Sequence, residues 1–493
     1  MVKKSYKRIR DLYDGLGAVK KNSLWFIMCN VLLKGINLII IPLVTFFLTE
    51  EEYGKLSVYM TFEQIFLILA TWEIPIGAYM KGFYKYKGED DAFRCVCIMA
   101  SNGITLFLGI LYFAFYKWIY PAVQLGYFLF VLLMIYAIVQ PAYHCWLTRQ
   151  RIAFDYRKAV AATFVYGIGA ALVPLLGILS IGKTADIKFG TQILFSFIFF
   201  MPFYLSAILR GAGQLNWENV KTYCGFIIRY EPPLVFHSLS YLVLGSADRI
   251  MIAGMAGNVQ AAYYSVGNSL ASVMNLFQTA IANTMTPWIY MKMEQDEYED
   301  IKKNVGLLCI LMAAMLLLFI LMAPEAITLF FRESYSEAVW CIPPIAAGTY
   351  FVFCYSIYVS IETYYEVTKY IGLVSICCAI LNIVLNYCLI GRFGYLVCGY
   401  TTLVSYMVFC AAHFGVAKVI CRKEENDIAK IINGRFLLGI GSIFLLCVFL
   451  ITLVYRCMII RYIFLCLCLT MLFVCRKRIK ILWRDMGKNS KGS

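Results

Sequence analysis

Apolar runs of roughly twenty residues follow one another along almost all of this 493-residue chain, broken by short charged or Pro/Gly-containing turns. A run of that length crosses about 30 Å of hydrocarbon as an α-helix. In hydrocarbon only helices and closed barrels satisfy their own backbone polar groups, and the length of these runs selects the helix. The expected fold class is therefore an all-α polytopic membrane protein with about fourteen transmembrane helices. The expected spans are 24–48, 56–80, 95–116, 122–147, 159–181, 189–209, 224–247, 259–290, 304–323, 338–364, 370–390, 395–417, 435–455 and 459–475. The long eighth and tenth runs leave room for interfacial turns. With 61% hydrophobic and 15% charged residues, the chain lacks the charge of a soluble protein. About twenty polar residues precede the first run, which reads as a permanent span and not as a cleaved signal.

Basic residues set the expected orientation. The even-numbered connections and both tails hold about 32 Lys/Arg against about nine in the odd-numbered connections. Basic loops stay in the cytoplasm, so both termini are expected inside and the number of spans even. The net charge of +15 follows from this placement and from attraction to anionic inner-leaflet lipid. No connection is long enough to form a folded basic surface for nucleic acid, so none is expected as a partner.

Several motifs are set aside. Gly177, Gly182, Lys183 and Thr184 match the letters of a phosphate-binding loop. That loop works between a buried strand and a helix, whereas this one ends a membrane span. Most of the nineteen cysteines lie inside apolar runs, where a thiol acts as a small hydrophobe. His144, His237 and His413 are too scattered for a metal cluster. The reading contains no metal site, no cofactor and no catalytic residue.

Two segments resemble each other. Asp248 and Arg249 close the seventh run and precede Ala261-Ala262-Tyr263-Tyr264-Ser265-Val266, while Glu51-Glu52-Tyr53-Gly54 precedes Ser57-Val58. The two Ser-Val pairs lie about 208 residues apart, which suggests a duplicated membrane unit. The Asp248–Arg249 segment is expected to anchor the outer end of span seven, a structural task.

Ionisable and amide groups inside the spans carry the functional expectations, because a charge at mid-membrane costs about 2.5–3.5 kcal/mol on insertion scales. Asn30, Lys34 and Asn37 share one helical face of the first span, and Thr45 extends it. Glu63 and Gln64 lie at a compatible depth in the second. Lys34 and Glu63 form either an interhelical pair or a site where a cavity cation meets an anionic substrate. In the seventh span Pro232 and Pro233 break the helix beside Arg229 and Glu231. Arg229 is either a snorkelling interfacial residue or a forked ligand for diphosphate. Asn268, Ser272, Asn275, Thr279 and Asn283 follow one helical register in the eighth span, and Asn382 and Asn386 do so in the eleventh. These amides serve as interhelical glue or as a path for sugar hydroxyls. Glu362 and Glu366, at the end of span ten, read as solvated.

The span number, the cytoplasmic ends, the Asp248–Arg249 segment with its Ala-Ala-Tyr-Tyr-Ser-Val sequel and the early Glu-Glu-Tyr-Gly together resemble the polysaccharide transporter (Wzx-type) flippases. Their superfamily also holds multidrug/toxin extruders and the lipid II flippase. Ala261-Ala262 stand where the family often has Gly before its Tyr. The resemblance implies two pseudo-repeated six-helix lobes around a V-shaped cavity of alternating access, with two C-terminal helices added. The expected parts are 1–213 (first lobe with a basic tail), 214–421 (second lobe), 422–475 (two helices) and 476–493 (basic tail). The implied cargo is an oligosaccharide on a polyprenyl diphosphate, moved across a bacterial cytoplasmic membrane for surface polysaccharide synthesis. The bilayer and other polysaccharide-assembly membrane proteins complete the expected partners. Lys34 and Arg229 are the candidate head-group cations, with Asn30, Asn37, Glu63, Asn268 and Asn275 as further substrate contacts. The competing readings are a cation-coupled drug extruder, a lipid II-type flippase and a membrane glycosyltransferase or polymerase. A transferase generally needs a large extramembrane acidic domain, which this chain lacks.

Overall fold

The computed structural model describes residues 18–153, 155–367, 369–470 and 473–474, with backbone alone at 18–24, 26, 27, 30, 31, 34, 37, 156 and 369. All regular structure among the described residues is helical. The first half comprises α1 (Ala18–Phe47), α2 (Glu50–Thr71), α3 (Ala78–Lys85), α4 (Asp90–Ala114), α5 (Tyr116–Val123), α6 (Tyr127–Ile152), α7 (Tyr156–Ser180), α8 (Ala185–Gly211), α9 (Trp217–Tyr230) and α10 (Pro232–Ser246). There follow α11 (Asp248–Met255), α12 (Asn258–Glu294), α13 (Tyr298–Phe330), α14 (Ile342–Tyr364), α15 (Lys369–Phe393), α16 (Val397–Lys423), α17 (Ile428–Ile431), α18 (Gly434–Leu453) and α19 (Met458–Thr470). The expected runs fall largely on helix, but the second joins the end of α2 to α3 through a turn, the seventh is broken at Glu231, and the end of the fourteenth lies outside the described residues. Among the described residues, nine helices are long and apolar enough to cross a membrane. The eighth run is one continuous helix of 37 residues, and a 3-10 segment (Glu333–Cys341) leads into the tenth.

Two compact units divide the chain at Leu239/Ser240. In the first, α1 packs on α7, α6 and α7 on α8, α4 on α6, and α2 on α4. In the second, α11 packs on α15, α14 and α15 on α16, α13 on α14, and α12 on α13. Counted by span, the second set is the first shifted by six, as a duplicated membrane unit requires. Helix α9 belongs to the first unit because Tyr223 and Ile227 bury themselves with Tyr79, Phe93 and Cys145.

Helix ends are closed by side chains. Thr49, Thr184, Asn216 and Asn433 each accept a hydrogen bond from a first-turn N–H of the helix they precede. The phosphate-loop look-alike thus ends one helix and caps the next with Thr184. The early acidic motif ties α2 to α8. The Glu52 carboxylate accepts from the Ala185 N–H at 2.6 Å, and Lys55 pairs with Asp186 at 3.0 Å. Tyr59 donates to Asp186 and to the Gln124 carbonyl, both at 2.8 Å. Gly257, at φ +109°, makes the sharp turn into α12 that a side chain would strain.

The last two helices are fixed to the second unit through a proline. Pro324 in α13 has no N–H, which frees the Ile320 carbonyl one turn back, and the Tyr455 hydroxyl donates to it at 2.8 Å. Arg461 donates to the Leu321 carbonyl at 3.0 Å and to Glu325 at 2.8 Å. Replacing Tyr455 with Phe leaves a buried carbonyl unsatisfied. It should lower stability by about 1–3 kcal/mol, read as a lower unfolding temperature of the detergent-purified protein, while Tyr462→Phe, at the exposed edge, has a smaller effect.

Candidate functional site

Helix α1 carries Asn30, Lys34 and Asn37, whose side chains lie outside the described residues. The Thr45 hydroxyl is buried and donates to the Pro42 carbonyl of its own helix at 2.9 Å.

Glu63 is buried, and the described cation whose charge it faces is Lys188, at the start of α8. Lys188 is itself buried and donates to Gln192 Oε1 at 2.5 Å. Tyr136 and Tyr166 lie in the field of Glu63, and the Tyr166 hydroxyl is 3.2 Å from that of Ser196. Polar groups of four helices, α2, α6, α7 and α8, thus lie in one region of the first unit. Lys188 escaped the sequence reading because it sits one residue outside the expected sixth span, where a lysine reads as a loop cation.

Arg229 stands exposed on the last turn of α9, just before the Pro232–Pro233 break. Glu231, its neighbour across the break, is fully buried, and its carboxylate accepts from the Ala78 N–H at the start of α3. Gly77 makes room for it, since a Cβ there would lie 2.6 Å from the carboxylate oxygens. The break thus supplies an anion to a helix N-terminus in the same unit.

In the second unit α12 presents Ser272, Asn275, Thr279 and Asn283 on an exposed stripe, with Asn268 half-buried above it. The opposite face buries Ala271, Met274, Gln278, Ile281, Met285 and Trp288. Asn275 accepts from the Thr349 hydroxyl at 3.1 Å, leaving its amide N–H groups available to a ligand. A polar stripe on a spanning helix is unsatisfied in lipid, so this face demands water or a polar ligand. Helices α2 and α12 are both long, yet neither is among the nine apolar enough by composition. They are the second and eighth spans, equivalent positions in the repeat.

Asn382 and Asn386 do not join that stripe. Both are fully buried around Asp248. Asn386 donates to Asp248 Oδ1 at 2.6 Å, Thr402 to Oδ2 at 2.8 Å, and Tyr264 also donates to Oδ2. Asn382 donates to the Thr402 hydroxyl at 3.0 Å, and Thr401 donates to Asn386. Asp248 therefore joins α11, α12, α15 and α16 through a saturated carboxylate. The family-marking Tyr264 is one of its donors.

Glu362 corrects the expectation of a solvated residue: it is fully buried in α14 and bonded at 2.8 Å to His413 Nδ1 on α16, which is equally buried. Fifty-one positions separate the two in sequence, and nothing local marks them as partners. Among the described residues no group of three or more His, Cys, Asp or Glu is placed to hold a metal ion.

The model of the family described as "Polysaccharide biosynthesis protein" matches residues 19–293, more than half of the chain, and the chain belongs to that family. An uncharacterized membrane protein of Haemophilus influenzae is 23% identical over 424 residues, 83% of this chain and 98% of its own length. An uncharacterized membrane protein of Methanocaldococcus jannaschii is 24% identical over 199 residues, 39% of this chain; the match spans 46% of that relative's length, less than half. Among solved structures, the lipid II flippase MurJ in an inward closed conformation superposes with a TM-score of 0.63 at 14% identity, covering 92% of this chain and all of the other. An inward-facing multidrug resistance MATE family transporter of the MOP superfamily gives 0.60 at 11% identity, covering 80% and 95%. The chain shares the fold of these two transporters, and the protein is a multi-pass membrane protein.

The Glu63–Lys188 pair allows a direct test. Neutralising either group, as Glu63→Gln or Lys188→Met, removes the electrostatic coupling between two buried residues and should lower stability by about 0.5–3 kcal/mol. The double variant should recover most of that loss, a coupling that thermal unfolding of the four proteins in a double-mutant cycle would measure.

Proposed function

We propose that this protein is a flippase that carries polyprenyl-diphosphate-linked oligosaccharides across a bacterial cytoplasmic membrane, with both termini on the cytoplasmic side. The observation that carries this reading is the uncharged stripe of α12, found in a chain of the polysaccharide biosynthesis family. Amides and hydroxyls exchange hydrogen bonds with sugar hydroxyls as readily as with water, so a glycan passes along such a face without paying an unmet desolvation cost. A lipid-linked diphosphate sugar needs protein only around its head group, because its polyprenyl tail remains at home in the bilayer. In the second unit Asn268 and Asn275 would meet sugar hydroxyls, and in the first Lys34 with Asn30 and Asn37 would meet anionic groups. Glu63 and Lys188 would shape the same interior, while Arg229 would meet diphosphate at the interface. Alternating access of the two units would then move the head group between leaflets.

A cation-coupled drug extruder of the same fold would rely on an acidic residue in its first spans. Glu63 is such a residue, and Lys188 opposes its charge, which argues against that use. Reconstitution into liposomes discriminates the readings. A fluorescent polyprenyl-diphosphate oligosaccharide placed in one leaflet should become accessible to a membrane-impermeant glycosidase on the other side only when the protein is present. Asn275→Leu together with Asn283→Leu should slow this about tenfold, the worth of one or two lost hydrogen bonds. Translocation of the lipid II disaccharide-pentapeptide at an equal or higher rate would assign a peptidoglycan precursor instead, and efflux of cationic drugs without lipid movement would assign an extruder.

A further inference from the structure

Helices α3 and α9, both in the first unit, face each other through two cation–aromatic contacts. Lys81 Nζ lies 5.0 Å from the ring centre of Tyr230, and Lys85 Nζ lies 4.7 Å from that of Phe226. Lys81 and Lys85 are four residues apart, as are Phe226 and Tyr230, so one helical turn on each side supplies both contacts. Phe226 and Tyr230 stack on each other with centroids 5.7 Å apart, and Tyr86, which also lies under Lys85, packs edge-on against Phe226. Below them the buried rings of Tyr79, Phe93 and Tyr223 form the floor. Arg229, between the two aromatic positions in sequence, adds a third exposed cation to the same end of α9.

These three cations stand together on one surface without a neutralising partner among the described residues. Among the described residues no carboxylate lies within 4.0 Å of Lys81, Lys85 or Arg229. The acids nearby are engaged elsewhere: Glu231 by the Ala78 N–H, Glu89 by Tyr223, Asp90 by Tyr79 and Arg149, and Asp91 by Arg94 and Arg149. Glu73, in the turn before α3, is half-buried, and Glu218 sits at the far end of α9. An aromatic face positions an ammonium without cancelling its charge, so the field of all three cations remains directed outward. Exposed Met80, Tyr84 and Ile228 flank them, the apolar and amphipathic company typical of the membrane–water interface. A soluble anion has no use for that flank, whereas a lipid has.

We propose that Lys81, Lys85 and Arg229 form an interfacial receiving site for the diphosphate of a polyprenyl-linked lipid. This rests on the flippase reading and adds the place where the cargo first meets the protein. Two ammoniums one turn apart and a forked guanidinium match a head group of two linked phosphates better than a single phosphodiester.

The test is binding to the full-length protein in zwitterionic nanodiscs, using polyprenyl diphosphate, phosphatidylglycerol and inorganic diphosphate as probes. Wild type should bind polyprenyl diphosphate at least tenfold tighter than either of the others. Each Lys→Gln or Arg→Gln change should weaken that binding about fivefold, and the triple variant by roughly two orders of magnitude. Lys81→Arg with Lys85→Arg should retain it, and Phe226→Leu with Tyr230→Leu, which frees the lysines to wander, should weaken it by a smaller factor. Unchanged affinity in a correctly folded triple variant would overturn the site. So would phosphatidylglycerol or inorganic diphosphate binding as tightly as the polyprenyl lipid. A protein that translocates the lipid with these cations removed and binding unaltered refutes this site alone. One that binds here and never translocates refutes the flippase reading alone.

Discussion

Hydrocarbon offers no hydrogen-bond partner, and the rest of this structure follows from that constraint. Every polar group carried into a span has to find its partner in the protein. Asp248 shows the consequence most fully, because three donors from α12, α15 and α16 converge on one carboxylate and fix the second unit around it. In the first unit Glu63 and Lys188 lie buried in each other's field, and Glu362 with His413 closes a further gap in the second. Even the proline of α13 belongs to this economy, since the carbonyl it frees is taken by Tyr455.

Polar groups that remain exposed on spanning helices stand out against that background. Where an amide is buried, as at Asn382 and Asn386, it holds helices together; where it is exposed along a stripe, as at Asn275 and Asn283, it faces something wet. The same residue type thus carries opposite meanings, and burial decides between them. Exposed cations divide likewise. Lys81 and Lys85 rest on rings with no carboxylate beside them among the described residues, whereas Lys55 and Arg149 pair with neighbouring carboxylates.

The membrane class, the run of helices and the duplicated plan were legible in the chain because hydrophobic run length acts locally and repeats. The Pro232–Pro233 break was legible for the same reason: proline acts on its own helix. Pairings across helices were not. Lys188 lay outside its expected span by one residue, and Glu362 looked solvated at a helix end. Each error concerned where a side chain ends, which depends on a neighbour far away in sequence.

The sequence by itself determined that this chain is a multi-pass helical membrane protein built from two similar halves, since the cost of exposing backbone or charge to lipid leaves a long apolar run no other fate. Only the tertiary structure decided which polar residues are spent on holding that fold and which are left to act. Asp248, Asn386 and Glu362 are buried against their partners, while Asn275, Arg229, Lys81 and Lys85 stand exposed. The reason is that a buried charge or amide is defined by the partners packed around it, and those partners are brought together by helix packing across more than a hundred residues of chain.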